Sequence, residues 1–446
     1  MQRIKNLLSR MVNLTTNSSD LNTDIKREKL KVVNNSDDFI SALPPEVMEV
    51  ILQKLNIVGF HCFSAVCKSW RSIAVTAKHH QHFSFRQLPW LMLSTNNSLR
   101  DDQQRFFSLM LSTNNSLQDD EQRFFSLDHG KIFKLNLPEV CHCRCCGSSW
   151  GWLILANRSG DNILFNPFSR RKIQLPSQTT LPVAQYIHTL GGVMEQWWKG
   201  PSFIRKAMLL SPPASDNDGN IVGDDCIVVA IYELAKLCFC RPGDQAWTGF
   251  GNEHLGVSFE DMILYNDQLY GVTDEYDLVL IELDPQPRGT KVTMPSPDGH
   301  DRHSHPDSEF IYLVESCGEL LMVVRHCRYP TGNGSFPPCF TTAFKVFKFD
   351  SSGPRWVEVD NLGDQMLFVG TSSGISFSAS LFSGFRGNCI YFTDDNFWNI
   401  VIIFEGPKAC RDLGVFSLDD GSIKSFFPTG SHSSLCPPVW YMPSHL

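Results

Sequence analysis

Most of this chain consists of short apolar and alternating runs, punctuated by Gly, Asp, Asn and Pro. From Arg123 onward the runs come in groups of about four, the pattern of strands joined by turns. Five successive groups span 152–176, 207–250, 262–294, 310–359 and 365–426. Four-stranded units repeated along a chain predict a β-propeller, because radially arranged sheets leave only short exposed edges. A two-sheet sandwich does not need five such groups.

A sixth group is divided between the two ends of this region. Residues 123–136 hold two strand-like runs around Asp128-His129-Gly130, which is a hairpin signal. The C-terminal Pro437-Pro438-Val439-Trp440-Tyr441 is expected to add a strand to the same sheet and so to close the ring. We therefore predict six blades, with five or seven as alternatives. The 32 Phe, 30 Gly and 25 Pro residues agree with many short strands and turns.

The stretch 39–79 has a helical period instead. It opens with Leu43-Pro44-Pro45, and proline suits the first turn of a helix. Apolar residues then recur three and four apart, first at Val47, Val50, Ile51 and Leu55 and later at Phe63, Val66, Cys67, Trp70 and Ile73. About 40 residues of helix bury too small a core to be stable alone. We expect these helices to pack on the rest of the chain, on a partner, or on both.

This helical stretch resembles the F-box in the order and spacing of its residues. The matching pattern is Leu43-Pro44-x-Glu46, Ile51-Leu52 with Leu55, and Val66-Cys67-Lys68-x-Trp70-Arg71, and Phe60 stands where the family usually has leucine. The resemblance implies docking on a Skp-type adaptor and, through it, on a cullin. The adaptor-binding residues that it implies are Leu43, Pro44, Ile51, Leu52, Leu55, Val66, Cys67 and Trp70. Some of these must pack the helices together instead.

The strand-rich region resembles the SKIP-like plant F-box proteins with a KIB-type propeller. The resemblance is densest over 88–176 and is carried by Leu88-Pro89-Trp90-Leu91-Met92-Leu93, Cys145-Cys146-Gly147-Ser148-Ser149-x-Gly151-Trp152-Leu153 and Asn166-Pro167-Phe168-Ser169-Arg170. It implies a substrate-recognition subunit of an SCF-type ubiquitin ligase, with a protein substrate bound by the propeller. An alternative is a non-degradative protein whose propeller blocks a partner such as a kinase.

The expected fold class is α+β multidomain, a small all-α F-box followed by an all-β propeller. We place the domain boundaries in chain order as a disordered N-terminal arm at 1–37, the F-box at 38–80, a linker at 81–122 and the propeller at 123–446.

An 18-residue sequence is repeated in tandem at the end of the linker. LMLSTNNSLRDDQQRFFS at 91–108 is followed at once by LMLSTNNSLQDDEQRFFS at 109–126. The copies differ only at Arg100/Gln118 and Gln103/Glu121. We interpret this as a tandem sequence duplication and not as a solenoid unit, because a solenoid needs three or more copies. The KIB-type family normally carries the segment once.

Two clusters contain residue types that bind metals. Cys141, His142, Cys143, Cys145 and Cys146 are spaced more tightly than the paired ligands of structural zinc, so buried structural cysteines are favoured. His300, His303 and His305 lie in a Pro/Gly/Asp-rich segment that is typical of a solvated loop. We predict no metal and no cofactor.

Two further motifs have a structural and a functional interpretation. Gly370-Thr371-Ser372-Ser373-Gly374 resembles a phosphate-binding loop but lacks the lysine, so we predict a turn. Trp197 and Trp198 belong either to a blade core, which is the commoner case, or to a binding face. No nucleophile elbow or paired-carboxylate signature appears, so we predict that the protein is not an enzyme.

The net charge and the cysteine content limit which partners and which cellular compartment we expect for this protein. The net charge is −8 with no long basic block, which argues against nucleic acid. No apolar run reaches the ~18 residues that cross a bilayer, so no membrane is expected. Fifteen cysteines without a signal peptide indicate reduced thiols in the nucleus or cytoplasm. Import into an organelle is a weaker alternative, based on Arg3, Lys5 and Arg10 near the N-terminus.

Overall fold

In a computed structural model of the protein, strands and the turns between them dominate. The structure describes residues 48, 52, 63, 70, 72–73, 87–93, 121–140, 143–157, 160–181, 204–213, 226–232, 235–250, 257–292, 308–328, 340–395, 412–426 and 438–443.

The strands are numbered along the chain. The first seven are β1 (Trp90–Met92), β2 (Glu121–Ser126), β3 (Lys131–Asn136), β4 (Arg144–Ser149), β5 (Trp152–Ala156), β6 (Asn162–Phe165) and β7 (Lys172–Leu175). The next eight are β8 (Ile204–Leu209), β9 (Val228–Tyr232), β10 (Lys236–Cys240), β11 (Thr248–Gly249), β12 (Phe259–Tyr265), β13 (Gln268–Thr273), β14 (Leu278–Glu282) and β15 (Arg288–Lys291). The last ten are β16 (Ser308–Ser316), β17 (Glu319–Arg328), β18 (Phe340–Asp350), β19 (Arg355–Glu358), β20 (Gln365–Val369), β21 (Ile375–Ser378), β22 (Cys389–Phe392), β23 (Gly414–Ser417), β24 (Ile423–Lys424) and β25 (Val439–Tyr441). Short 3-10 helices lie at Gln178–Thr180 and Ala379–Leu381.

These strands form six sheets, which are the six blades predicted. In order from the first blade to the sixth, they are β25-β1-β2-β3, β4-β5-β6-β7, β8-β9-β10-β11, β12-β13-β14-β15, β16-β17-β18-β19 and β21-β20-β22-β23-β24. The paired strands are antiparallel except β20 and β22, which run parallel. The sixth blade is thus a five-stranded variant of the four-stranded unit.

The hydrophobic core lies between blades. Each of the six core clusters of described residues combines side chains from two neighbouring blades, and together they cover the whole ring. Neighbouring blades also touch through β25 and β4, β4 and β8, β12 and β16, and β16 and β21. These strands are therefore the inner strands that surround the propeller axis.

The C-terminal strand closes the ring, as expected. β25 pairs with β1, with Trp90 opposite Tyr441 and Met92 opposite Val439. On its other edge β1 pairs with β2, with Trp90 opposite Ser126. The blade therefore includes residues 90–92 and 121–122, which the sequence analysis had assigned to the linker. The reason is that Trp90 and Leu91 are buried in the interfaces with the second and sixth blades.

Within the N-terminal region, the structure describes six residues, all of them helical: Met48, Leu52, Phe63, Trp70, Ser72 and Ile73. The expected arm at 1–37 lies outside the described residues. Among the described residues no helix has both the length and the apolarity to cross a bilayer.

Candidate adaptor-binding and partner-binding sites

Two of the eight implied adaptor-binding residues are described, and both are buried. Leu52 is 0% exposed and Trp70 is 1% exposed. The Trp70 ring lies 4.3 Å from the ring of Phe63. Both side chains therefore pack within the protein, so they are suited to support an adaptor surface rather than to form it. Leu43, Pro44, Ile51, Leu55, Val66 and Cys67 lie outside the described residues.

Three inner strands end in two-residue hairpin turns with the same backbone geometry. The central residues are Trp150-Gly151 after β4, Asn266-Asp267 after β12 and Cys317-Gly318 after β16. All six have positive φ, from 49° at Asn266 to 78° at Gly318. Positive φ at both positions defines the type I′ turn, whose twist matches that of the flanking strands.

These turns lie on one face of the propeller, which we call the turn face and define by residues 150–151, 266–267 and 317–318. The Tyr265 hydroxyl donates to the Gly318 carbonyl oxygen at 2.9 Å, which joins the turns of the fourth and fifth blades. The Tyr441 hydroxyl donates to the Gly151 carbonyl oxygen at 3.2 Å, so the end of β25 lies on this face as well.

Trp150 is the most unusual residue of the turn face. A bulky side chain at φ 54° is a backbone outlier, and such strain is found where the surroundings or a function require it. The side chain is nevertheless 53% exposed, so burial in this chain does not compensate for the strain. Exposed tryptophans are enriched among the residues that dominate protein–protein binding. Trp150 is therefore our main candidate for a partner contact.

Trp150, at the unassigned position in Ser149-x-Gly151, is not among the site residues predicted from the sequence. The available signal was a Trp-Gly pair between two strand-like runs, where Asn-Gly would be the usual turn. The candidates that were considered, Trp197 and Trp198, lie outside the described residues.

The segment after β21 adds apolar surface to the same face. The Ser376 hydroxyl lies 2.8 Å from that of Ser316, the last residue of β16, so the segment leaves the sheet beside the β16–β17 turn. It carries Leu381, which is 45% exposed, and the partly buried Phe382 and Phe385 with ring centroids 6.3 Å apart. Aromatic and apolar residues of this kind form the centres of protein interfaces.

Paired charges on two inner strands lie at the propeller axis. β8 and β12 each contain a bulge, at Ile204/Lys206 and at Phe259/Asp261. The two strands meet in two ion pairs, Arg205 with Glu260 and Lys206 with Asp261. Burial raises the pKa of Asp261 above its usual value, against the lowering effect of Lys206. These charges neutralise each other, which is the arrangement of a structural link rather than of a free general acid or base.

Arg325 forms a second buried charge cluster, between the fifth and sixth blades. Its guanidinium is 1% exposed and donates to Asp395 Oδ1 at 2.9 Å and to Asp412 Oδ2 at 2.6 Å. It also donates to the Tyr312 hydroxyl at 3.2 Å. Burial opposes its charge, but Tyr312, Asp412 and Asp395 raise the pKa of Arg325 well above its usual value. The cluster therefore holds the two blades together with a permanent charge.

The cysteine cluster is divided between two cores. Cys145 packs in the core between the first and second blades, whereas Cys146 packs in the core between the second and third. Because the two side chains are buried in different interblade cores, these two thiols do not converge on one ion. Burial raises the pKa of the Cys146 thiol. Cys141 and His142 lie outside the described residues, as do His300, His303 and His305.

The glycine-rich motif at 370–374 connects β20 and β21, so it is a turn as predicted. Its compact form is required by packing. A Cβ at Gly370 would lie 2.1 Å from Thr393 Oγ1, and one at Gly374 would lie 2.4 Å from the Leu313 carbonyl oxygen. In the part of the chain that the structure describes, no three His, Cys, Asp or Glu side chains group closely enough to hold a metal ion.

Helical residues ahead of a six-bladed ring, with an exposed tryptophan in one turn of the turn face, define a propeller protein with a candidate partner-binding face. Comparison with protein families identifies both the helical segment and the propeller. The F-box domain family matches residues 40–82, and the KIB1-4 beta-propeller family matches residues 124–417. The chain therefore belongs to the F-box proteins with a KIB1-4 beta-propeller.

Relatives from Arabidopsis thaliana match this chain over most of their length. Putative F-box protein At3g25750 is 26% identical over 402 residues, which cover 86% of this chain and 92% of the relative. F-box protein SKIP23 is 24% identical over 435 residues, which cover 90% of this chain and 95% of the relative. Among solved structures, the beta-propeller domain of Myceliophteria thermophila Cps50 (Swd1) aligns with 68% of this chain and 82% of its own, at 11% identity and a TM-score of 0.27.

Proposed function

We propose that this protein is the substrate-recognition subunit of an SCF-type ubiquitin ligase. The F-box binds a Skp-type adaptor and thereby a cullin, and the propeller binds a protein substrate. The observation that carries the proposal is the F-box match directly ahead of a propeller that matches the KIB1-4 family. The chain performs no covalent chemistry; it raises the effective concentration of substrate lysines near the ubiquitin donor. It acts in the nucleus or cytoplasm, which imaging of a fluorescent fusion tests.

The adaptor role is tested with the two buried F-box residues. Leu52→Ala with Trp70→Ala removes two buried side chains, each worth about 2–5 kcal/mol, and is expected to abolish co-purification with the adaptor. The propeller is expected to melt as in wild type. Ile423→Ala, on an exposed edge strand of the sixth blade, is the control. Adaptor recovery at wild-type yield from the double variant would exclude the F-box assignment.

We further propose that the turn face binds the substrate, with Trp150 at its centre. Trp150→Asn removes the exposed ring and installs the residue that a type I′ turn prefers. Stability is therefore expected to stay equal or to rise, while substrate binding falls by roughly tenfold or more. Proximity labelling from the propeller, compared between wild type and variant, identifies the proteins whose capture depends on Trp150.

Two controls complete that experiment. Val357→Ala removes an exposed apolar side chain from the outer strand β19, outside the turn face, and it is expected to leave the labelled set unchanged. An identical labelled set from Trp150→Asn would contradict the assignment of this face. Proteasome inhibition separates degradation from blocking, because only a degraded substrate accumulates when the proteasome is inhibited.

A further inference from the structure

The first blade combines strands from different copies of the duplicated sequence. β1 takes Leu91 and Met92 from the start of the first copy. β2 is the last six residues of the second copy, 121–126. The corresponding six residues of the first copy are 103–108, outside the described residues, and they differ from β2 only by Gln103 in place of Glu121.

Every buried residue of β2 has an identical counterpart in the first copy. Gln122, Phe124, Phe125 and Ser126 are buried, and the same residue types stand at 104, 106, 107 and 108. The differing residue, Glu121, is half-buried at the blade surface. There it forms ion pairs with Arg123 at 3.3 Å and with Lys134 at 3.0 Å. Surface ion pairs of this kind contribute little, so the first copy fits the β2 position almost equally well.

Chain connectivity also discriminates weakly between the copies. In the observed arrangement 28 residues (93–120) join β1 to β2 and four (127–130) join β2 to β3. With 103–108 in the β2 position, the connections become 10 residues (93–102) and 22 residues (109–130). From these loop lengths, loop-closure entropy alone would make the observed arrangement only about threefold more populated than the exchanged one.

The turn after β2 favours the observed arrangement further. The Ser126 hydroxyl lies 2.9 Å from His129 Nδ1 and also bonds to Asp128. The exchanged arrangement replaces the tight turn between Ser126 and Lys131, so these bonds are lost there. The observed arrangement is accordingly the major one.

We propose that the β2 position of the first blade exchanges between the two copies, with the first copy occupying it in a minor population of about 1–10%. The exchange transfers 18 residues from the β1–β2 connection to the β2–β3 connection. Those connections leave the sheet at opposite ends, since Met92 lies opposite Val439 and Trp90 lies opposite both Ser126 and Tyr441. Tyr441 contacts Gly151, so the β2–β3 connection, which the exchange lengthens, begins and ends on the side of the turn face. If the proposed function holds, the exchange alters the substrate-binding surface.

A thermodynamic cycle in urea tests the exchange without any partner. In a chain lacking 91–108, which has one copy, Phe124→Ala is expected to lower the folding equilibrium constant by roughly 1,000-fold. In the full chain the loss is expected to be at least tenfold smaller, because the first copy replaces the damaged strand. In the full chain, combining Phe106→Ala with Phe124→Ala restores the full loss. Phe106→Ala alone leaves the folding equilibrium constant unchanged.

Phe133→Ala is the matched control, because β3 has no second copy and its loss must be the same in both backgrounds. If the alanine variants do not fold in buffer, the same cycle is measured in a stabilising osmolyte such as sucrose, because milder substitutions would not reveal a minor population of about 1%. Equal Phe124 effects in both backgrounds, with no further effect of Phe106, would overturn the proposal. Because the readout is unfolding, this result is independent of whether the protein recruits a ubiquitin ligase.

Discussion

Lys206 Nζ lies 2.5 Å from Asp261 Oδ1, and the two residues belong to neighbouring blades. Asp261 Oδ2 also accepts the backbone N–H of Leu313 in the fifth blade at 2.9 Å. Lys206 donates to the Gly370 carbonyl oxygen, which follows β20 of the sixth blade, at 3.4 Å. One buried ion pair therefore links four of the six blades at the propeller axis, so its loss should affect the whole ring.

Lys206→Met is expected to destabilise the propeller by about 3–5 kcal/mol, because it leaves the buried Asp261 carboxylate without its charge partner. Without Lys206 the pKa of Asp261 rises further, since burial already raises it and Lys206 lowers it. Protonation then relieves the unpaired charge, so the loss relative to wild type is largest at neutral pH and shrinks as the pH falls. Urea unfolding at about pH 7 and pH 5 measures both effects. A loss that does not change with pH would contradict the role of Asp261.

Arg325→Gln is expected to separate the fifth and sixth blades. The substitution removes the charge that pairs with Asp395 and Asp412, and breaking such a buried pair costs about 3–5 kcal/mol. Arg355→Gln is the control, because Arg355 is exposed and pairs with Asp350 at the surface. Thermal melting should show a large decrease for the first variant and none for the second. Equal melting temperatures would mean that the Arg325 cluster is not a stabilising link.

Deletion of 91–108 is expected to preserve the first blade. Trp90 is then followed by Leu109-Met110, the same sequence that now forms β1. The β1–β2 connection shortens from 28 to 10 residues, which stabilises the fold by about 1 kcal/mol. The melting temperature and adaptor binding are the measurements. A large decrease in melting temperature would show that the first copy is an integrated element. The size of such a decrease is judged against Trp90→Ala, which removes a buried side chain of β1.

Removal of 437–446 is expected to open the ring. It deletes β25, whose Trp440 and Tyr441 are fully buried, and it exposes the edge of β1. An unpaired edge is a template for association with other chains, so the truncated protein should aggregate on size-exclusion chromatography. Removal of 444–446 alone leaves β25 in place and serves as the control. A truncated protein that stays monomeric with unchanged melting would contradict closure by β25.

The strands were predictable because their signals are local. The turn Asp128-His129-Gly130 joins β2 and β3 as expected, and the alternating runs placed the blades in order. β1 was missed because Trp90-Leu91-Met92 is a short run whose burial depends on β25, far away in sequence. β21 was missed beside the glycine-rich turn, although Ile375-Ser376-Phe377-Ser378 alternates.

The candidate site was less predictable because it depends on non-local geometry. No spacing along the chain indicates that Lys206 meets Asp261, or that the parallel pairing of β20 and β22 brings Thr393 against Gly370. The exposure of Trp150 and the shared orientation of the hairpin turns likewise follow only from the assembled ring. The sequence predicted the class of protein, whereas the face available to a partner required the structure.

The pairing of β1 with β25 also determines when the first blade can be completed during synthesis. Trp90 and its partner Tyr441 are 351 positions apart, a distance that a ribosome covers in roughly 20 to 70 s at about 5–20 residues per second. Throughout that interval the F-box has already been synthesised, while the first blade lacks its innermost strand. Nascent chains therefore contain the complete F-box before the ring can close, and any ribosome that stops before residue 439 releases a chain with an open ring.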